Sequence, residues 1–427
     1  MFLVIAILSL STISDLPPSA PGAYRQHYEA GIKACRAGQR ADFLKHTLKA
    51  HLLNPNHFGS RYNLAVAYAV NDLPAKAVSI LRSIAATGFH MDPTKEPSFA
   101  SLIDREDFIA VRAAFERNGH PIHHATTAIT LPQKDLYPEG IAYDDRDGHF
   151  YISSVFHRKV VKCRPDGSAT DWITPGRDGL WSAMGLAIDR SRDLLWVASS
   201  AVDQTANLAK RDKGKSGLFA FSLKDATLER KAILSRRGRS YNLGDLTLAE
   251  DGTVYCGDGA GNTLYVLKPG ASKLESLVRS AHFRSIQGLA LSADGTRLYV
   301  ADYSHGLFAV DLARRSVQPL AHPQSYLSVG CDGLVRHGNR LIGIQNGIRP
   351  HRVVAWTLGT DGTSLARQTV LEANNPEFDE PTLGTMVGTD YYFVATSQWG
   401  KYGKDHKPLP LEDLAEIQIM RIPLKDP

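Results

Sequence analysis

The stretch Pro138–Ser154, PEGIAYDDRDGHFYISS, decides the fold. An apolar run opens at Ile141, an Asp-Gly turn interrupts it at Asp147–Gly148, and a second run carries Tyr and Ile. That is the pattern of two strands joined by a tight turn. It recurs as AMGLAIDRSRDLLWVASS, LGDLTLAEDGTVYCGDG, IQGLALSADGTRLYVADY, CDGLVRHGNRLIGIQNG and PTLGTMVGTDYYFVATSQ. The openings fall near residues 139, 184, 244, 287, 332 and 382, steps of about 43 to 60 residues. The longest step holds the polar insertion AVDQTANLAKRDKGKSG, which reads as a loop. Between openings lie further runs, such as KVVKCRPDGSATDWI and GLFAVDLARRSVQPLA, each reading as two more strands about a turn. Four strands per unit and six units predict a six-bladed β-propeller over residues 125–427.

Upstream of Gly119 the period is helical. AYRQHYEAGIKACRAGQ and RADFLKHTLKAHLLNPN form one predicted helix pair, HFGSRYNLAVAYAVND and PAKAVSILRSIAATG a second. A shift of 34 residues lays Tyr28 on Tyr62, Gly31 on Ala65 and Ala50 on Ile84. This spacing resembles tetratricopeptide repeats and implies a small all-α domain over 24–119, closed by PSFASLIDREDFIAVRAAFERNG. Such repeats offer a groove for a protein partner.

With 43% apolar residues the chain can bury a sizeable core. Its net charge of +5 is spread along the chain with no recognition motif, so we expect no nucleic-acid partner. Phe2–Leu10 is apolar but too short to span a bilayer, and no other segment reads as a membrane span. Its length suits a signal peptide over residues 1–23 and an exported protein, periplasmic or extracellular. A membrane anchor or a misassigned start is the alternative. The cysteines, Cys35, Cys163, Cys256 and Cys331, form no CxxC pair and read as small buried residues.

A propeller's innermost strands line a central channel. The residues that open them should therefore converge at one mouth: Glu139, Met184, Gly244, Gln287, Asp332 and Thr382. Two carboxylates and an amide suit a hard divalent cation, or else a shared proton. Residues closing the second strands are expected at the same face: His157, Asp258, Asn262, Asp302, Tyr303, His305, Asn346, Gln398 and Trp399. Such a polar rim with a few aromatics suits a small molecule. The acidic NPEFDEPTLG adds Glu377, Asp379 and Glu380 before the last inner strand. HPIHH, His120–His124, reads as a linker, and the lack of G-x-S-x-G leaves no visible serine triad.

PEG at the first opening, QGLALSADG at the fourth and DGL at Asp332 together resemble the senescence marker protein, gluconolactonase and luciferin-regenerating enzyme family of six-bladed propellers. The resemblance covers roughly residues 130–424. It implies one divalent metal at the channel mouth, Ca²⁺ first, with Zn²⁺ or Mg²⁺ as alternatives. Glu139 and Asp332 match ligand positions, and Gln287 stands where Asn is usual. Gly244 stands at another Asn position, followed by Asp245; Asn242 takes that place if the register slips. The resemblance implies hydrolysis of a lactone or ester, with Asp332 or Asp245 taking a proton from water and His157 as an alternative proton carrier. Asn242, Asp302, Tyr303, His305, Asn346, Gln398 and Trp399 are then the expected substrate contacts. The rival expectation is a non-catalytic ligand-binding or interaction scaffold that uses the helical repeats and the propeller face.

Overall fold

The computed structural model describes residues 21–424. The proposed signal peptide lies almost wholly outside the described residues. The chain divides into two compact units.

The first unit is helical: α1 (Pro21–Arg36), α2 (Arg40–Leu53), α3 (Phe58–Val70), α4 (Pro74–Ala85) and α5 (Glu106–Asn118). Pro74 starts α4 where a missing N–H costs nothing, and the ring of His57 accepts the Ser60 amide at 3.0 Å to cap α3. Consecutive helices pack on one another through small residues, Ala34, Ala65, Ala69 and Ala77 among them, which let the backbones approach. The segments 321–329 and 347–350 belong to this unit, and Leu327 and Ile348 join its core. Arg61 is buried and donates to the Gln324 and Ser83 carbonyls, each at 2.8 Å.

The second unit is a six-bladed β-propeller. Six antiparallel four-stranded sheets carry six inner strands: Ile141–Asp144, Ser182–Asp189, Leu243–Leu248, Ile286–Leu291, Cys331–His337 and Gly384–Val387. Each blade is covered on both faces by its neighbours, so the middle strands read as unbroken apolar runs. Leu194–Ser200 is buried at every position, whereas the outermost strand of the same blade, Leu228–Leu234, is mostly exposed or half-buried. The sixth blade is composite. Thr126–Leu131 pairs with Ile417–Pro423, so the first strand of the unit completes its last sheet and closes the ring. Glu372 is fully buried and accepts the His124 and Ala125 amides at 2.6 and 2.7 Å, fixing the entry to that strand. The HPIHH histidines therefore sit at an anchored chain entry.

The recurrent glycines are where neighbouring inner strands come closest. A Cβ on Gly140 would run into the Met184 carbonyl oxygen, and one on Gly288 would lie 2.5 Å from the Leu334 nitrogen. The four cysteines are free thiols. Among the described residues no helix is long and apolar enough to cross a membrane.

Candidate functional site

Glu139 opens the inner strand of the first blade and is 7% exposed; Asp332 opens that of the fifth and is 8% exposed. The sixth blade meets the first here: Thr382 Oγ1 donates to the Glu139 carbonyl at 2.9 Å. Glu139 Oε2 accepts the Trp399 indole N–H at 2.7 Å, and Asp332 Oδ2 accepts Asn346 Nδ2 at 2.7 Å. Among the described residues, neither carboxylate has a basic partner.

Burial therefore pushes the Glu139 carboxyl well above its usual range, and Asp332, Glu380 and Asp245 push it further; only the Trp399 N–H opposes them. Asp332 is raised to about 7, chiefly by burial, with Asn346 opposing and Glu380 reinforcing the shift. Asp245 is also raised to about 7 by burial, although its oxygens accept the Leu246 and Leu289 amides at 2.8 and 3.3 Å. Asp245 borders the channel, a cavity of about 400 Å³ lined also by Tyr143, Thr247, Thr385, Arg190 and Arg336.

Gln287 lies at the start of the inner strand of the fourth blade. Its amide donates to Ser285 Oγ at 3.3 Å, and a Cβ on Gly244 would lie 3.0 Å from its Oε1. The longer Gln side chain thus reaches across the bare backbone at Gly244. Asn346 Oδ1 is buried without a partner, as is the hydroxyl of Tyr391, whose phenol pKa is raised by burial and then by Cys331, Asp245 and Asp332. Met184 is buried among Val155, Tyr241 and Trp399, as channel packing.

Other expected rim residues support loops. Asp302 Oδ2 accepts the Arg284 and Ser285 amides at 2.6 and 2.8 Å, and Oδ1 accepts those of Ser304 and His305 at 3.1 and 2.9 Å. Asp258 does the same for Asn242 and Ala260, and Arg279 Nε reaches Asn262 Oδ1 at 3.0 Å. Gln398 is fully buried; it donates to the Lys134 and Ala415 carbonyls and accepts the Ala415 amide. His157 pairs with Asp135 at 3.0 Å, and the His305 ring meets the His282 carbonyl at 2.8 Å. Tyr303 binds the Ser285 carbonyl through its backbone at 2.8 Å. Asn242 keeps a buried, unpartnered Oδ1.

Around the expected Trp399, three further rings form an aromatic cluster beside Glu139. Tyr402 packs tilted against Tyr137, 4.2 Å between ring centres, with Trp399 at 5.8 Å and Phe156 at 6.4 Å. The Tyr137 hydroxyl donates to the Lys401 carbonyl at 2.8 Å, tying the 399–402 turn down beside Glu139. The aromatic spacing around WGKY was the one available signal.

Several solved structures are similar. A gluconolactonase from Xanthomonas campestris is 17% identical, over 69% of this chain and 89% of its own, with a TM-score of 0.46. A calcium-binding protein, regucalcin, from Agrobacterium tumefaciens is 16% identical over 70% and 96%, at 0.49. A PQQ-bound aldose sugar dehydrogenase from Streptomyces coelicolor is 14% identical over 70% and 99%, at 0.47. Such distant likeness carries no argument about activity. No family model and no curated protein matches the chain.

Proposed function

We propose that the propeller is a divalent-metal-dependent hydrolase of the lactonase kind, acting at the channel mouth. The observation that carries this reading is the Glu139–Asp332 pair: two buried carboxylates, both raised chiefly by burial, with Asp332 raising Glu139 further and, among the described residues, no basic partner for either. The donor set fits a hard cation. Carboxylates of Glu139 and Asp332, the Gln287 amide oxygen and the orphaned Asn346 Oδ1 are all oxygens, as Ca²⁺ prefers. Among the described residues no three His, Cys, Asp or Glu side chains gather to ligate one ion, so neutral amides would have to complete the set. When bound, the cation would polarise a lactone or ester carbonyl.

The chain's own residues supply the rest. Asp245, held by two amides and raised to about 7 by burial, takes a proton from a water as that water's oxygen adds to the carbonyl carbon, and the C–O bond to the alkoxide then breaks. Asp245 returns that proton to the leaving alkoxide. Trp399 fixes the orientation of Glu139, and Asn346 that of Asp332. The rings of Tyr137 and Tyr402 keep bulk water from the carboxylates.

The test is thermal melting with and without Ca²⁺, beside lactone hydrolysis with and without chelator. We expect chelator to abolish hydrolysis and Ca²⁺ to raise the melting temperature. If Glu139→Gln melts as the parent does in saturating Ca²⁺, the cation reading fails.

A second reading, an interaction scaffold, is favoured by Leu52, Leu53 and Ile109, large apolar residues exposed on the helical unit. Capture of a partner that is lost on Leu52→Glu would support it. Export belongs to the first reading, and N-terminal sequencing of protein recovered outside the cytoplasm checks it.

A further inference from the structure

A second cavity, of about 320 Å³, lies away from the channel, between the first two blades. Its lining includes Arg158, Trp181, Lys215, Lys231, Asp212 and Ile233. Arg158 Nε donates to the Leu180 carbonyl at 3.0 Å and Nη1 to the Ala206 carbonyl at 3.3 Å, which leaves Nη2 facing the 176–179 turn. That turn is built for close approach. A Cβ on Gly176 would lie 2.8 Å from Arg158 Nη2, and one on Gly179 3.2 Å from Lys231 Nζ, and both glycines have positive φ.

The charges do not balance. Lys215 Nζ binds Asp212 at 2.8 Å, and the Trp181 side chain also hydrogen-bonds Asp212. Arg177 and Asp178 lie 3.5 Å apart at the edge. Arg158, Lys215 and Lys231 line the cavity against the single lining carboxylate Asp212, an excess of two positive charges. Lys231 is exposed; its ammonium donates to the Asp178 carbonyl at 2.8 Å and rides 4.7 Å over the Phe219 ring. Beside these cations stand apolar surfaces, Trp181 and Ile233.

We propose that this pocket binds a phosphomonoester: a dianionic phosphate on Arg158 and Lys231, with the organic group of the ester against Trp181 and Ile233. Two uncompensated cations match a dianion, where a carboxylate would neutralise only one. A guanidinium nitrogen and an ammonium are the usual phosphate donors, and Arg158 offers its Nη2. The site owes nothing to the hydrolase reading, because it shares no residue with the channel mouth.

The test is calorimetric titration of the full-length chain with phenyl phosphate and, separately, inorganic phosphate. We expect saturable one-site binding, with phenyl phosphate at least tenfold tighter. Lys231→Met should weaken phenyl phosphate at least tenfold and leave the ligand-free melting temperature unchanged. Lys273→Met, on the third blade, should leave binding unchanged. Absence of saturable binding, or affinity unmoved by Lys231→Met, overturns the site. Equal affinity for the two probes overturns the ester assignment. Because Arg158 also holds two loop carbonyls, Trp181→Leu serves as the second variant: it should reduce phenyl phosphate affinity but not that of inorganic phosphate, and the reverse pattern overturns the proposed orientation.

Discussion

Asp332 and Glu139 are costly neighbours. Two carboxylates out of water repel each other unless a proton or a cation intervenes. Asp332→Asn should therefore raise the melting temperature in chelator, because repulsion is relieved, and abolish both the Ca²⁺-dependent melting shift and hydrolysis. Scanning calorimetry in EDTA and in Ca²⁺ checks both halves. Gln287 and Gly244 form a second coupled pair, since the Gln287 oxygen sits where a side chain at 244 would go. Gly244→Asn alone should lower stability by about 1–2 kcal/mol through overpacking, and adding Gln287→Asn should recover most of that loss. A double-mutant cycle by denaturant unfolding measures the coupling. The motif reading expects Glu139 and Asp332 at one mouth. It gives no hint that Gln287 covers Gly244, because that depends on the spacing between two blades.

Each strand opening has a packing reason. Gly140 must lack a side chain because the Met184 carbonyl of the next inner strand occupies that space. Gly140→Ala should cost about 1–3 kcal/mol, measured by denaturant unfolding. The polar residues that close second strands carry a different lesson. Asp302 looked like a rim contact, but it gathers four backbone amides of two turns. Asp302→Ala would strand those donors, with an expected loss on the order of 3 kcal/mol. Thermal melting checks it. Sequence shows that a carboxylate ends the strand; whether it faces a ligand or the backbone depends on how the following turn folds back. The same limit hid the aromatic cluster, since Tyr137 and Tyr402 are distant in sequence and meet only when the sixth blade returns to the first.

The closed ring links stability to pH. Asp245 and Asp332 have folded values near 7, above their ordinary value of 3.8. A raised carboxyl gives stability that is full below the unfolded value and lost as pH rises through the folded one. The metal-free protein should therefore lose stability as pH climbs from about 4 to about 7, and the raised Glu139 carboxyl acts in the same direction. Ca²⁺ should flatten that slope, and melting curves across this range decide it. The period-two alternation of six strand pairs was enough for the blade count, and the helical period upstream for the α-helical first part, because periodicity and turn residues are local properties of the chain. Closure was not local. Thr126–Leu131 pairs with Ile417–Pro423 across almost the whole propeller, and nothing in either segment names the other. The burial that raises the carboxyls and the aromatic cluster beside Glu139 likewise need the ring closed, and the excess charge between the first two blades needs those blades packed together. They depend on distances between segments that a one-dimensional pattern does not carry.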